Sequence, residues 1–165
     1  MDHQVVLITG AKGGLGTYVT QAFLEAGAQV VGSSRKIDDS AFPHARFTAI
    51  PADLTNAQDA AQLAAAALQR FQKIDALVHV AGGFAGGTAI HETEDAVWDA
   101  MLNLNLRAAV HILRAVIPPM RQQKRGRIVA IGYRRSCGRQ WCLPCRMCWP
   151  IRPSPASTWC RVATC

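Results

Sequence analysis

The feature that most constrains this chain is a turn near its N-terminus, TGAKGGLG, running from Thr9 to Gly16. It follows VVLI (Val5–Ile8), a short apolar run of the kind that forms a parallel strand buried on both faces. It precedes a stretch in which Leu15, Val19, Ala22, Phe23 and Ala26 share one helical face, closed by Gly27. Glycines at 10, 14 and 16 supply what such a junction needs: a tight turn, close backbone approach and a helix packed near the strand. The helix start then offers free N–H groups and a positive dipole end, a phosphate-binding arrangement. A tight turn alone would also use glycine. The position between a buried strand and an amphipathic helix favours the phosphate reading, and more specifically a dinucleotide pyrophosphate.

The residues that follow keep alternating. AQVVGSS, RFTAI, DALVHVAGG and GRIVAIG read as further strands, and TNAQDAAQLAAAALQRF as a helix with Thr55 as its N-cap. A long helix is expected from Glu94 to about Val116. Strand–helix alternation with connections of this length predicts an α/β fold: a doubly wound, Rossmann-type parallel sheet with helices on both faces. No internal repeat or low-complexity linker interrupts it.

The end of the second strand bears on which dinucleotide would bind. An NAD-selective fold places a carboxylate there for the ribose hydroxyls. Here the position is Ser34, followed by Arg35 and Lys36, with Lys12 in the turn. A small hydroxyl and a guanidinium suit a 2′-phosphate, so NADP is favoured over NAD. The alternative for Arg35 and Lys36 is a solvated turn.

On the long helix, Trp98, Leu102, Ala109, Ile112 and Val116 recur at helical spacing, and Asn105 falls on the same stripe. Burying an amide costs about 1–3 kcal/mol unless its hydrogen bonds are met. Asn105 is therefore expected either to satisfy a helix distortion or to serve a site.

Composition separates the chain into two unlike parts. Residues 1–132 hold all 11 acidic residues, every lysine and every histidine, and no cysteine. Residues 133–165 hold all 6 cysteines and six arginines with no acid, so six charges of the net +7 belong to this tail. The basic pI is thus no footprint for nucleic acid, which needs cations clustered on a folded face. MDHQVVLITG lacks the basic and long apolar regions of a signal peptide, and no run reaches the ~18 apolar residues of a membrane span. A cysteine-free body without a signal implies a cytoplasmic protein.

Taken in order, these motifs resemble the short-chain dehydrogenase/reductase family over residues 4–132. ADL (Ala52–Leu54) resembles the segment whose Asp53 contacts the adenine ring. VAGG resembles the Asn-Asn-Ala-Gly motif, with Ala81 and Gly82 kept but His79 and Val80 in place of the asparagines. NLNLRAAV places Asn105 in an active-site position, where the family's side chain holds a helix kink and a water of the proton relay. The resemblance implies a cofactor site at Gly10, Lys12, Gly14, Leu15, Gly16, Ser34, Arg35, Asp53, Leu54, Ala81 and Gly82. It implies interconversion of a small-molecule carbonyl and a secondary alcohol with NADP or NAD. It also implies a homo-oligomer for an intact version. His79 reads as a structural strand-end residue, and His91 as the better substrate-side contact.

The family's acid is a tyrosine, with a lysine four residues later and a serine upstream. Those positions hold Arg146, Pro150 and Tyr133, and no lysine follows Lys124. Regrouping the implied codons by one base permits serine at 133 and tyrosine at 146, but asparagine rather than lysine at 150. The expectation is an incomplete dinucleotide-binding domain over 1–132 and a frameshifted, unstructured tail over 133–165, with little or no turnover. Family members run to roughly 250 residues as one domain. The rival reading of the tail is a metal module, since Cys142, Cys145 and Cys148 are spaced C-x-x-C-x-x-C.

Overall fold

The computed structural model describes residues 3–131. The tail, with Tyr133, Arg146, Pro150 and the six cysteines, lies outside the described residues. Among the described residues five strands form one sheet: β1 (Val5–Thr9), β2 (Gln29–Ser33), β3 (Phe47–Ala49), β4 (Ala76–His79) and β5 (Arg127–Ala130). Their order is β3-β2-β1-β4-β5 and every pairing is parallel. The chain winds outward from β1 to β3 and then crosses back to β4. The reversal of direction lies between β1 and β4, where a doubly wound sheet opens a crevice at the carboxyl ends of its strands.

The apolar run of β1 feeds two cores because successive side chains point to opposite faces. Val5 and Leu7 pack with helices α2 (Ala57–Phe71) and α4 (Ala108–Gln122), through Leu63, Ile112 and Val116 among others. Val6 and Ile8 pack on the other face with Leu24 of α1 (Gly14–Glu25), Phe42 and Phe47. A strand covered on both sides cannot alternate with polar residues, which is why VVLI does not.

Several boundaries differ from the sequence reading. The inward face of α1 is Gly16, Thr20 and Leu24, while Leu15, Ala22 and Ala26 are exposed. The close seat of Gly16 against the turn sets the helix's rotation, and side-chain polarity follows rather than leads. Gly27 does end the helix, at φ +87°, with Ala28 N–H donating to Phe23 O. The N-cap of α2 is Asn56, whose Oδ1 accepts from Gln58 N at 2.8 Å, because Thr55 is engaged by Asp53.

The long helix starts at Asp95, with Glu94 as N-cap, and runs past Val116 to Gln122. It comprises α3 (Asp95–Leu102), a π-helical turn (Asn103–Arg107) and α4, with Pro118 and Pro119 inside α4. By length and composition alone this 28-residue run could cross a bilayer. In this fold its Ala108, Ile112, Val116 and Met120 are buried against the sheet and α2. The stripe expected on it splits: Ile112 and Val116 are buried, whereas Trp98 and Leu102 are exposed. Finally, β5 lacks the burial that its apolar run, like that of β1, would lead one to expect. Arg127 and Ala130 are exposed and Ile128 and Val129 only half-buried, because β5 is the outermost of the five strands.

Candidate functional site

The turn after β1 is pinned to the strand beside it. Ala11 N donates to Ser33 O at 3.1 Å, Lys12 N to Ser34 Oγ at 3.2 Å, and Gly13 N to Gly10 O at 2.9 Å. Two glycines are demanded by the fold itself. Gly10 sits at φ +71°, and a Cβ there would lie 2.7 Å from Ala81 N; a Cβ on Gly16 would lie 1.9 Å from Gly10 O. At Gly14 a Cβ would meet nothing within 4 Å. Protein packing leaves that side of the helix start open, and Gly13, the N-cap of α1, caps it with no side chain. An open, uncapped helix N-terminus has the chemistry a phosphate needs.

Around this turn lies a cleft of about 740 Å³. Its lining brings together Gly10 and Lys12, Ser34 and Arg35, Asp53 and Leu54, and Ala81 and Gly82, eight residues singled out from four separate stretches. Gly14, Leu15 and Gly16 are not in that lining; they form the first turn of α1, with Leu15 exposed. Lys36 lines it beside Arg35, and Gly13, Ser33, Ala52, Thr55, Leu104 and Ala108, which the sequence does not mark as site residues, complete the wall. Leu104 and Ala108, one turn apart on the long helix, share a face, a spacing signal that the helix's other apolar residues mask.

Asp53 is held by its neighbour. Its Oδ1 accepts from the Thr55 hydroxyl at 2.8 Å and from Thr55 N at 3.0 Å. The hydroxyl bond first, and then the backbone bond, hold its carboxyl below the usual value against some desolvation, with Arg35 adding a smaller push. The segment thus presents a charged carboxylate from a fixed turn.

Asn105 is exposed rather than buried, yet its bonds are met. Its Nδ2 donates to Gly83 O and to Met101 O, each at 2.9 Å, and its Oδ1 accepts from Gly83 N at 3.0 Å. A Cβ on Gly82 would lie 2.8 Å from Oδ1. The side chain therefore ties the π-helical turn to the end of β4, as a residue satisfying a helix distortion does.

A match to the short chain dehydrogenase family runs over residues 4–136. This chain belongs to that family. It is 35% identical over 133 residues to the short chain dehydrogenase adrF of Penicillium rubens, covering 78% of this chain and 51% of that protein. Among solved structures it resembles gox2181, with TM-score 0.76 and 26% identity over 80% of this chain and 54% of the other. It also resembles the NADH-dependent reductase A1-R′ complexed with NAD, with TM-score 0.71 and 25% identity over 78% of this chain and 59% of the other. The chain thus spans about half the length of the relatives it matches.

Against the family pattern, the His79 departure has a physical replacement. His79 is buried, and its Nδ1 lies 2.7 Å from Thr9 Oγ1 across the sheet. It joins the two central strands below the cleft, as a structural strand-end residue would. His91 sits in a short 3₁₀ turn (Ile90–Glu92), exposed and 3.7 Å from Glu92, outside the cleft lining.

Proposed function

We propose that the described domain is the nucleotide-binding part of an NAD(P)-dependent oxidoreductase interconverting a carbonyl and a secondary alcohol. One observation carries the reading: the glycine turn, the end of β2, the Asp53 turn and the end of β4 line a single cleft at the sheet's reversal point. The bound nucleotide would give or take the hydride. The chain's own groups would do the rest. The uncapped N-terminus of α1 would hold the pyrophosphate beside Gly14. Asp53 would accept from the adenine amino group as a carboxylate. Asn105, anchored on Gly83, would keep the helix kink at the reactive end. Lys12, Ser34, Arg35 and Lys36 form a cationic, hydroxyl-bearing corner without an acceptor carboxylate at position 34, which favours NADP over NAD.

The 165 residues contain no Tyr-x-x-x-Lys, the family's proton-donating pair. We therefore assign this chain cofactor binding with little or no turnover, and a cytoplasmic setting in keeping with a body free of cysteine. The exposed Trp98, Leu102 and Leu106 follow one another along the helix and suit a contact with a second copy. Titrating the chain with NADPH and NADH, following nicotinamide fluorescence, tests the reading. NADPH should bind the more tightly. Binding of neither would overturn it.

A further inference from the structure

We propose that His111 is a positioning residue for the adenine side of the cleft, an inference that rests on the nucleotide-binding reading. His111 Nδ1 lies 3.0 Å from the carbonyl oxygen of Leu54. Leu54 lines the cleft beside Asp53 and is itself buried. The residues around it are held from nearby: Ala52 N by Ser34 O at 3.3 Å, Asp53 N by Asp59 Oδ2 at 3.2 Å, Thr55 N by Asp53 Oδ1, and Asn56 N by Asp53 O at 3.0 Å. His111 comes from a different layer. It stands on α4 in line with Leu104 and Ala108, the helix residues that form the cleft's inner wall. One side chain thus fixes the peptide of the adenine turn to the helix that walls the same cleft, and sets the distance between them.

The bond also specifies the imidazole. A carbonyl oxygen only accepts, so Nδ1 must carry the proton. In the full chain, ¹⁵N spectra of the histidine rings should show His111 as the Nδ1–H tautomer; the Nε2–H tautomer would overturn the assignment. This readout needs neither a ligand nor a variant.

The functional test uses NADPH or NADH, whichever the unaltered chain binds more tightly, and the matching adenosine half, 2′,5′-ADP or ADP. His111→Leu keeps bulk and removes the donor. It should weaken both ligands alike by about fivefold, the scale of one neutral hydrogen bond. His111→Asn, whose Nδ2 stands where Nδ1 did, should restore most of the loss. Unchanged binding by His111→Leu, a loss confined to the full dinucleotide, or equal weakness of the Leu and Asn variants would each overturn the proposal while leaving the site reading intact. No binding by the unaltered chain would overturn that reading, and this inference with it.

Discussion

Thr9 Oγ1 and His79 Nδ1 lie 2.7 Å apart where β1 and β4 pair, and the same hydroxyl lies 3.4 Å from Ala81 N. A hydroxyl has one proton. It can accept from Ala81 N–H and donate to Nδ1 at once, an arrangement in which the neutral ring keeps its own proton on Nε2. Whichever atom donates, the bond ties the ends of β1 and β4 through a buried ring, and burial is what disfavours the charged form of His79.

Burial of His79 pushes its pKa below the ordinary value of 6.5. The sign follows from linkage. Once the pH falls below about 6.5 the unfolded chain takes up the proton first, so stability is full above that value and declines below it, down to the lowered folded pKa. Thermal melts from pH 7.5 to 5 should show Tm falling on acidification. His79→Asn should flatten that slope while remaining folded at neutral pH. An equal slope in both proteins would place the acid sensitivity elsewhere.

The turn glycines separate folding from binding. Gly16→Ala drives a Cβ to 1.9 Å from Gly10 O, backbone that cannot step aside. It should cost about 3 kcal/mol or more, the upper range for overpacking. Gly14→Ala meets nothing within 4 Å and should leave the unfolding free energy from urea titration within about 0.5 kcal/mol of the parent, as a substitution free of clashes does. Its nucleotide affinity should nevertheless fall, because the open side of the helix start is where a phosphate would lie. A Gly14→Ala protein with full affinity would remove the phosphates from that position.

The sequence made the fold class and most of the cleft legible for one reason. Strand runs buried on both faces, such as VVLI, and glycines forced by backbone contact, such as Gly10 and Gly16, are local demands with a single solution. What it hid depends on tertiary geometry. The inward face of α1 follows the seat of Gly16, so Leu15 turned outward despite its apolar side chain. Asn105 reads as buried from its spacing, but the helix from Asp95 to Arg107 has no buried residue, and Asn105 lies exposed against the Gly83 backbone. The wall residues Ala52, Leu104 and Ala108 carry no chemistry of their own to announce them.

The proposed preference for NADP rests on Arg35. It lines the cleft beside Ser34 and close enough to Asp53 to affect its charge. If it grips a 2′-phosphate, Arg35→Ala should lose at least about 1.5 kcal/mol, or tenfold, for NADPH and little for NADH, as for a charged hydrogen-bonded pair. Equal losses for both nucleotides would make Arg35 a general contact and remove the case for NADP.

At the opposite end of the sheet, Asp75 gathers three donors. Its Oδ2 accepts from Val5 N at 2.9 Å and pairs with Lys73 Nζ at 2.9 Å, while Oδ1 pairs with an Arg125 guanidinium nitrogen at 3.1 Å. Desolvation is the largest single influence on this carboxyl and pushes its pKa up, but the Val5 N–H and the two cations together outweigh it and leave the pKa lowered. A lowered carboxylate stabilises the fold above its unfolded value, near 3.8, and that contribution drains away as pH falls through the folded pKa. Asp75→Asn keeps an acceptor for Val5 but leaves Lys73 and Arg125 without their counter-charge. It should cost about 1.5–3 kcal/mol in urea unfolding at pH 7, the range for a hydrogen bond to a charged group, and less at pH 3. The difference arises because protonation at low pH removes the same charge that Asn lacks, the charge that joins the starts of β1 and β4 to the loop entering β5. Were the cost the same at both pH values, the carboxylate's charge would not be what secures that end of the sheet.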